Sequence, residues 1–143
     1  MNILILNGPN LNLLGIREVS IYGSQSYSDL VEYCTSFESR YNVTIINKQS
    51  NHEGVLIDLL QEANDIYDGV IFNPGAFTHY SYALYDAIKS IQIPVVEVHL
   101  SDIYQRESFR QIDVIKDACI GTIMGLGFKS YEAGLKLLLE SVK

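Results

Sequence analysis

The sequence predicts one α/β domain in which a parallel sheet of five strands is covered by helices on both faces. Short apolar runs alternate along the chain with longer segments whose apolar residues recur every three or four positions. Uninterrupted apolar strands between amphipathic helices are typical of a parallel sheet that is buried on both faces. No linker, repeat or low-complexity tract breaks the alternation, so residues 1–143 are expected to form a single domain.

The apolar runs, taken in chain order, predict strands at 3–6, 43–46, 69–72, 94–98 and 118–124. Helical spacing of apolar residues predicts helices at 27–41, 56–67, 77–91 and 128–142, with a short helical turn at 103–109. Ser26 and Asp29 fit a capping box at the start of the first of these helices. Because crossovers between parallel strands are right-handed, few topologies remain. The favoured one is a flavodoxin-like three-layer sandwich with strand order 2-1-3-4-5.

Composition and charge narrow the class of partner. The net charge of −7 argues against nucleic acids and anionic membranes, which both require a basic surface, but it is compatible with an anionic small molecule. No uncharged apolar span approaches about 18 residues, and the N-terminus lacks the basic region and cleavage site of a signal peptide. Cys34 and Cys119 are expected to be buried free thiols in a reducing compartment, so a cytoplasmic location is predicted.

Unusual polar residues collect at the predicted carboxyl ends of the strands, where open parallel sheets bind ligands. They occupy 7–12 after the first strand, 49–52 after the second, 73–76 after the third and 99–101 after the fourth. A candidate site is therefore expected at this edge of the sheet. His52, which follows Ser50 and Asn51, is interpreted as a local cap or a surface residue.

Arg17 and Tyr22 lie in the loop that leaves the first strand, between Gly15 and Gly23. A tyrosine hydroxyl ordinarily ionises near pH 10, but a guanidinium held close can lower such a pKa by about 1–3 units. An Arg–Tyr pair on a loop bounded by glycines is therefore a candidate base at neutral pH. The alternative is a surface loop with a solvated arginine and a packed tyrosine.

Glu97 and His99 alternate with apolar residues at period two, so they are expected on one face of the fourth strand. A carboxylate beside an imidazole fixes the tautomer and favours a protonated ring that can donate a proton. The alternative is a purely structural pair of side chains. The amides of Leu100 and Ser101 precede a short predicted helix and are candidates to hold a carboxylate.

Five further polar residues are candidates for binding. Arg106 and Arg110 are four positions apart on the short predicted helix, so they are expected to point the same way and to offer a guanidinium to a substrate oxygen or carboxylate. Asn73 ends the third strand, where its amide suits a substrate hydroxyl or simply completes a turn. His79 and Asp86 are seven positions apart, which places them on one face of the helix at 77–91. Taken alone, Asp86 is better explained as a residue on a solvated helix face.

Several signatures are missing from the sequence. There is no Gly-rich phosphate loop, no His-Glu-x-x-His metal site, and no lysine in an apolar strand where a Schiff base would form. A proton transfer without cofactor or metal is what remains. A flavin- or nucleotide-binding module is less consistent because Pro9 removes an amide from the first loop. A receiver-type signalling domain would need acids where Asn7 and Asn73 stand.

Long motifs recur in order along the chain, and they are 8–15 (GPNLNLLG), 17–18 (RE), 22–23 (YG), 49–54 (QSNHEG), 73–79 (NPGAFTH), 97–101 (EVHLS), 106–110 (RESFR) and 121–127 (GTIMGLG). By these motifs the whole chain resembles the type II 3-dehydroquinate dehydratases, cofactor-independent enzymes of the shikimate pathway. The resemblance implies an aromatic-biosynthesis enzyme that takes 3-dehydroquinate to 3-dehydroshikimate through an enolate. It also implies a homo-oligomer, a dodecamer built as a tetramer of trimers.

The resemblance also implies roles for individual residues. Tyr22 would be the base that removes a proton from C2, with Arg17 lowering its pKa. Asn12, with a water, would hold the enolate oxygen. His99 would protonate the departing C1 hydroxyl, oriented by Glu97.

The remaining implied contacts concern binding, and they come from Asn73, His79, Leu100, Ser101 and Arg110. The residue that matches Asp86 would reach the site of a neighbouring subunit. The chain departs from the family pattern at Val19, Ser20, Asp102, 112–114 and Lys116. None of these departures coincides with the implied acid or base, and a purely scaffolding relative is disfavoured by the intact Arg17, Tyr22 and His99.

Overall fold

The strands form one parallel sheet in the order that the sequence predicts. A computed structural model of the protein describes residues 1–16 and 18–143, without the side chain of Tyr22. The strands are β1 (Asn2–Asn7), β2 (Thr44–Gln49), β3 (Gly69–Asn73), β4 (Val95–His99) and β5 (Gly121–Met124). They are hydrogen-bonded in the order β2-β1-β3-β4-β5, and all four pairings are parallel. The predicted flavodoxin-like topology is therefore confirmed.

Helices cover the two faces of this sheet, and they are α2 (Tyr27–Thr35), α3 (Phe37–Tyr41), α4 (Glu53–Ile66), α5 (Tyr82–Ser90) and α6 (Lys129–Ser141). The short helix α1 (Val19–Tyr22) lies in the segment between β1 and α2. Alternate residues of β1 point to opposite faces, as the pleat requires. Ile3 and Ile5 pack with α2, α3 and α6 in one buried apolar cluster, while Leu4 and Leu6 pack with α4 and α5 in a second. The sheet is thus the middle layer of three.

The predicted helix at 27–41 is divided into α2 and α3 at Ser36. The Ser36 hydroxyl donates to the Tyr33 carbonyl at 2.6 Å, which offers that carbonyl an alternative to a continued helix. The predicted capping box is present, because the Ser26 side chain accepts from the Asp29 amide and the Asp29 carboxylate accepts from the Ser26 amide. The break leaves the buried face intact, since Cys34 and Phe37 remain in one cluster.

The predicted helix at 77–91 is wrong in its first part. Residues Gly75–His79 form a 3-10 helix, and α5 begins only at Tyr82, because the Ser81 hydroxyl accepts from the Leu84 amide and caps it. His79 and Asp86 consequently lie on different elements and not on one helical face.

Two further boundaries differ from the prediction. The segment 103–109 is divided between two 3-10 helices, Ile103–Gln105 and Ser108–Gln111. The strand predicted at 118–124 begins at Gly121, because Lys116–Ala118 forms another 3-10 helix. Both cysteines are free thiols, as predicted, but only Cys34 is buried; Cys119 is half-buried.

The hydroxyl of Tyr131 on α6 joins the carboxyl ends of β1 and β3. It donates to Asn7 Oδ1 at 2.5 Å and accepts from Asn73 Nδ2 at 2.9 Å, and all three side chains are buried. Asn73 Oδ1 in turn accepts from the Gly75 amide at 3.1 Å. The edge of the sheet that carries the polar loops is therefore held by a polar network that reaches from the last helix.

Tyr131→Phe is expected to lower the free energy of unfolding by about 1–3 kcal/mol, because it leaves buried polar groups of Asn7 and Asn73 without their partner. Urea unfolding at one fixed protein concentration measures the change. Tyr33→Phe is the matched control, since the half-buried Tyr33 hydroxyl donates to Glu132 near the surface and its loss should cost less. Equal midpoints for both variants would contradict the assigned role of the Tyr131 hydroxyl.

No helix among residues 1–16 and 18–143 has the length and apolar character needed to cross a membrane.

Candidate active site

A pocket opens at the carboxyl ends of β1, β3 and β4, at the edge where the sequence predicts a site. It is lined by Pro9, Asn10, Leu11, Leu14, Asn73, Gly75, Ala76, His79, His99, Leu100, Ser101, Ile103, Arg106 and Arg110. The exit loops of β1 and β3 touch directly, because a Cβ on Gly8 would lie 2.7 Å from the Pro74 carbonyl oxygen. Glycine at position 8 is what permits this close approach.

Seven of the predicted site residues line this pocket together, and they are Asn73, His79, His99, Leu100, Ser101, Arg106 and Arg110. Asn12 lies on the 3-10 helix Leu11–Leu13, is exposed, and accepts from Gln49 Nε2 at 3.4 Å without lining the pocket. Asp86 is exposed on α5, also away from the pocket lining. Arg17 and the side chain of Tyr22 lie outside the described residues; the Tyr22 backbone ends α1.

Glu97 and His99 form the buried pair that the period-two spacing predicts. His99 Nε2 and Glu97 Oε2 are 2.6 Å apart, and Glu97 is fully buried while His99 is 6% exposed. The Thr78 hydroxyl donates to the same Glu97 oxygen, and Thr122 Oγ1 donates to the other at 3.3 Å. Burial raises the pKa of Glu97, but the hydrogen bonds and charge of His99, with further hydrogen bonds, outweigh it and hold that pKa below its ordinary value.

The orientation of His99 follows from this contact. An ionised carboxylate only accepts hydrogen bonds, so Nε2 carries the hydrogen that it gives to Glu97. Nδ1 is then the ring nitrogen that can hold or release a proton toward a ligand. The pair can therefore present a proton donor at the pocket wall, with its tautomer fixed by Glu97.

His79 takes a different electrostatic role at the mouth of the pocket. Its Nδ1 lies 2.8 Å from the Ile112 carbonyl oxygen, which can only accept, so Nδ1 carries the hydrogen. Burial lowers the pKa of His79, an effect that the Ile112 hydrogen bond opposes and His99, Arg110 and Arg106 reinforce. In the neutral ring Nε2 is an acceptor, which suits a hydroxyl of a bound ligand.

Arg106 and Arg110 give the pocket a cationic wall in a chain whose net charge is −7. They lie at two successive 3-10 helices and not on one helix as predicted, yet both line the pocket. Arg110 Nε donates to Glu107 at 2.7 Å and its guanidinium lies over the Phe109 ring at 4.7 Å. Arg106 has an ion-pair contact of 3.9 Å with Glu18. This wall is suited to a carboxylate.

Two polar residues near the Glu97 carboxylate were not predicted from the sequence as site residues. Thr78 and Asp113 are buried, and the Thr78 hydroxyl lies 3.0 Å from Asp113 Oδ1. No local spacing connects them to Glu97, because the three residues come from different segments that only the fold brings together. The one signal was an acid at 113 between two apolar residues, where the family pattern differs.

Glu97, His99 and Asp113 place possible metal-ligand atoms within 4.8 Å of one another. Two ligands of one tetrahedral zinc ion stand about 3.3 Å apart, given zinc–ligand distances of about 2.0 Å. The 2.6 Å contact between His99 and Glu97 is shorter than that separation and is that of a hydrogen bond. The geometry of this cluster therefore favours a proton-sharing network over a metal centre.

Comparison with known proteins identifies the family. The model of the family described as Dehydroquinase class II matches residues 1–139. The chain belongs to the class II dehydroquinases. It is 54% identical over 139 residues to a 3-dehydroquinate dehydratase of Caldicellulosiruptor saccharolyticus, covering 96% of each chain. It is 53% identical over 137 residues to the enzyme of that name from Bacillus pumilus, covering 96% of this chain and 93% of the other.

Solved class II dehydroquinases have the same fold. The crystal structure of the type II dehydroquinase from Butyrivibrio crossotus matches with a TM-score of 0.95 at 47% identity, covering 97% of each chain. The type II dehydroquinase from Propionibacterium acnes matches with a TM-score of 0.91 at 37% identity, covering 96% of each chain. The resemblance found in the sequence motifs is thus confirmed at the level of family and fold.

Proposed function

We propose that this class II dehydroquinase is a hydro-lyase of the shikimate pathway that dehydrates 3-dehydroquinate to 3-dehydroshikimate, through an enolate and without a cofactor. The observation that carries the proposal is the buried Glu97–His99 pair at the wall of a pocket with two arginines. An acid whose tautomer is fixed and a cationic wall suit the loss of a hydroxyl from an anionic substrate. The names of the relatives supply the substrate class.

The proposed reaction has two steps. The Tyr22 phenolate, held ionised by Arg17, takes the proton from C2, and the electron pair moves onto the C3 carbonyl oxygen to give an enolate. The enolate then collapses, the C1–O bond breaks, and His99 Nδ1 gives its proton to the departing hydroxyl, which leaves as water. The double bond of the product forms between C1 and C2. Solvent later returns the proton to His99 and removes that on Tyr22.

The pocket side chains have distinct proposed tasks in binding. Arg110 binds the carboxylate region of the substrate, together with the backbone amides of Leu100 and Ser101 and the Ser101 hydroxyl. His79 Nε2 accepts from a ring hydroxyl. Asn73 uses one Nδ2 hydrogen on Tyr131 and its oxygen on Gly75, so its second amide hydrogen is the one directed to the substrate.

Asn12, Arg17 and Tyr22 complete the site in this proposal from the segment between β1 and α2. Support comes from Glu18, which directly follows Arg17 and has its carboxylate 3.9 Å from Arg106 of the pocket wall. Glu18 adopts a left-handed backbone conformation with φ of 39° at the start of α1. Enolate stabilisation by Asn12 through a water requires this segment to approach the pocket when substrate binds.

A homo-oligomer, specifically a cytoplasmic dodecamer, is part of the same proposal. Large apolar side chains are exposed beside the pocket and on α5, and they are Tyr80, Tyr82, Phe109 and Ile112. Asp86 lies four positions after Tyr82 and so shares its exposed helical face. If a neighbouring subunit covers this face, Asp86 of one subunit comes close to the active site of the other, as the family resemblance implies.

The decisive assay adds 3-dehydroquinate to the purified protein in the presence of a strong chelator and follows the ultraviolet absorbance of the conjugated enone product. We expect the absorbance to rise at a rate that the chelator does not change. Borohydride added together with substrate should leave the mass of the protein unchanged, because no imine forms. Activity that requires added metal, or a substrate adduct on a lysine, would contradict the proposed route.

A further inference from the structure

Asp113 is a buried acid that the proposed reaction does not use. It is 9% exposed and follows the 3-10 helix Ser108–Gln111. Its Oδ1 accepts from the amides of Ile115 and Lys116, both at 3.0 Å. Its Oδ2 is buried and has no hydrogen-bond partner among residues 1–16 and 18–143. The capping contacts explain one oxygen of this carboxyl group and leave the other without a structural use.

The Asp113 carboxyl group meets the Glu97 carboxylate across a single hydroxyl. Thr78 Oγ1 lies 3.0 Å from Asp113 Oδ1 and is also hydrogen-bonded to Glu97 Oε2. That hydroxyl has one hydrogen, so it can satisfy only one of the two carboxyl groups at a time. Two acids so close to each other in a buried place cannot both ionise readily.

The pKa values of the two carboxyl groups, Asp113 and Glu97, are shifted in opposite directions. Burial, followed by the proximity and charge of the Glu97 carboxyl group, raises the pKa of Asp113 to about 6, while the pKa of Glu97 is lowered. Burial raises the pKa of the nearby Cys119 thiol and lowers that of His79, so both are neutral at pH 7. Asp113 therefore changes its charge just below neutral pH, next to a Glu97 carboxylate that is already ionised.

We propose that Asp113 is a positioning residue that supplies a second negative charge beneath the Glu97–His99 pair at neutral pH, and so holds the His99 ring in its proton-donating form. The proposal rests on the proposed function, in which His99 is the acid. Lys116 contributes its backbone amide to Asp113, and Arg106 and Arg110 lie at the pocket wall near His79. The negative charges near His99 thus come from Glu97 and Asp113, and the positive charges come from Arg106 and Arg110.

The test compares the pH profile of kcat/KM for the wild type and Asp113→Asn. Asparagine keeps an Oδ1 that can cap the Ile115 and Lys116 amides but cannot ionise. We expect the alkaline limb to move to lower pH by about one unit, so that the variant loses about tenfold more activity at high pH than near pH 6. The acid limb, which reports the base, should stay in place.

Asp113→Ser is the second variant, because it also removes the charge and keeps a hydroxyl near the two amides. Both variants should shift the alkaline limb in the same direction. A loss that is equal at every pH would show a merely structural role and would overturn the proposal. A wild type that fails to dehydrate 3-dehydroquinate at any pH would instead overturn the proposed function, so the two failures are distinguishable.

Thermal unfolding gives a readout that is independent of activity. Because folding raises the pKa of Asp113, its contribution to stability is complete below about pH 4 and is lost as the pH rises through about 6. The melting temperature of Asp113→Asn relative to the wild type should therefore increase between about pH 4 and pH 7. A difference that does not depend on pH would overturn the proposed ionisation of Asp113.

Discussion

His99→Gln is expected to lower kcat by about 10²–10⁴-fold while the KM for 3-dehydroquinate changes much less. This is the range that a positioned general acid contributes, and glutamine cannot donate a proton of comparable acidity. The side-chain amide of the glutamine can still donate a hydrogen bond to the Glu97 carboxylate, so the fold should survive. Steady-state kinetics by the enone absorbance, with circular dichroism as a check of folding, measure the effect.

The matched control is the same substitution at His52. That residue is exposed at the start of α4, and its side chain makes no capping hydrogen bond there. His52→Gln should therefore keep the wild-type kcat. If His99→Gln retained activity within tenfold of wild type, His99 would not be the acid.

Tyr22→Phe is the second large effect, and we expect kcat to fall by about 10²–10⁴-fold because the variant lacks the phenol to which the proposed mechanism assigns removal of the C2 proton. Binding of 3-dehydroquinate, measured by calorimetry on the variant, should survive because the arginines, His79 and Asn73 are unchanged. Tyr104→Phe is the control, since that ring is 48% exposed and lies outside the pocket lining. Near-wild-type turnover in Tyr22→Phe would remove this residue from the mechanism.

Substrate deuterated at C2 separates the two roles. In Tyr22→Phe the removal of the C2 proton becomes the slow step, so the isotope effect on kcat should rise toward its full value. In His99→Gln the loss of the C1 hydroxyl becomes slow, so the isotope effect should shrink. The same response in both variants would contradict the division of the reaction between a phenol and an imidazole.

The topology was predictable because it depends on a pattern that runs through the whole chain. Apolar strands alternating with amphipathic helices allow few arrangements once crossovers are right-handed. The pairing of Glu97 with His99 was predictable for a similar reason, since two residues on one strand at period two must share a face. Both inferences needed only the order and spacing of residue types along the chain.

Contacts between distant segments were not predictable from such patterns. Thr78 is hydrogen-bonded to Glu97, which lies 19 positions later in the chain. Thr78 also contacts Asp113, which lies 35 positions after it. The late start of α5 was missed because Phe77 and Tyr80 continue an apolar spacing that Ser81 interrupts with its cap. Arg17 and the Tyr22 side chain lie outside the described residues, so their pairing stays a prediction.

The hydroxyl of Tyr131 bears on how the protein acquires its activity during synthesis. It contacts Asn7, which lies 124 positions earlier in the chain, and so supports the carboxyl end of β1 from α6. A nascent chain emerges from the ribosome with its N-terminal end first. The loops that follow β1 and β3 can therefore acquire their final polar support only after α6 has left the ribosome and packed against the sheet, so catalytic competence follows the folding of that helix.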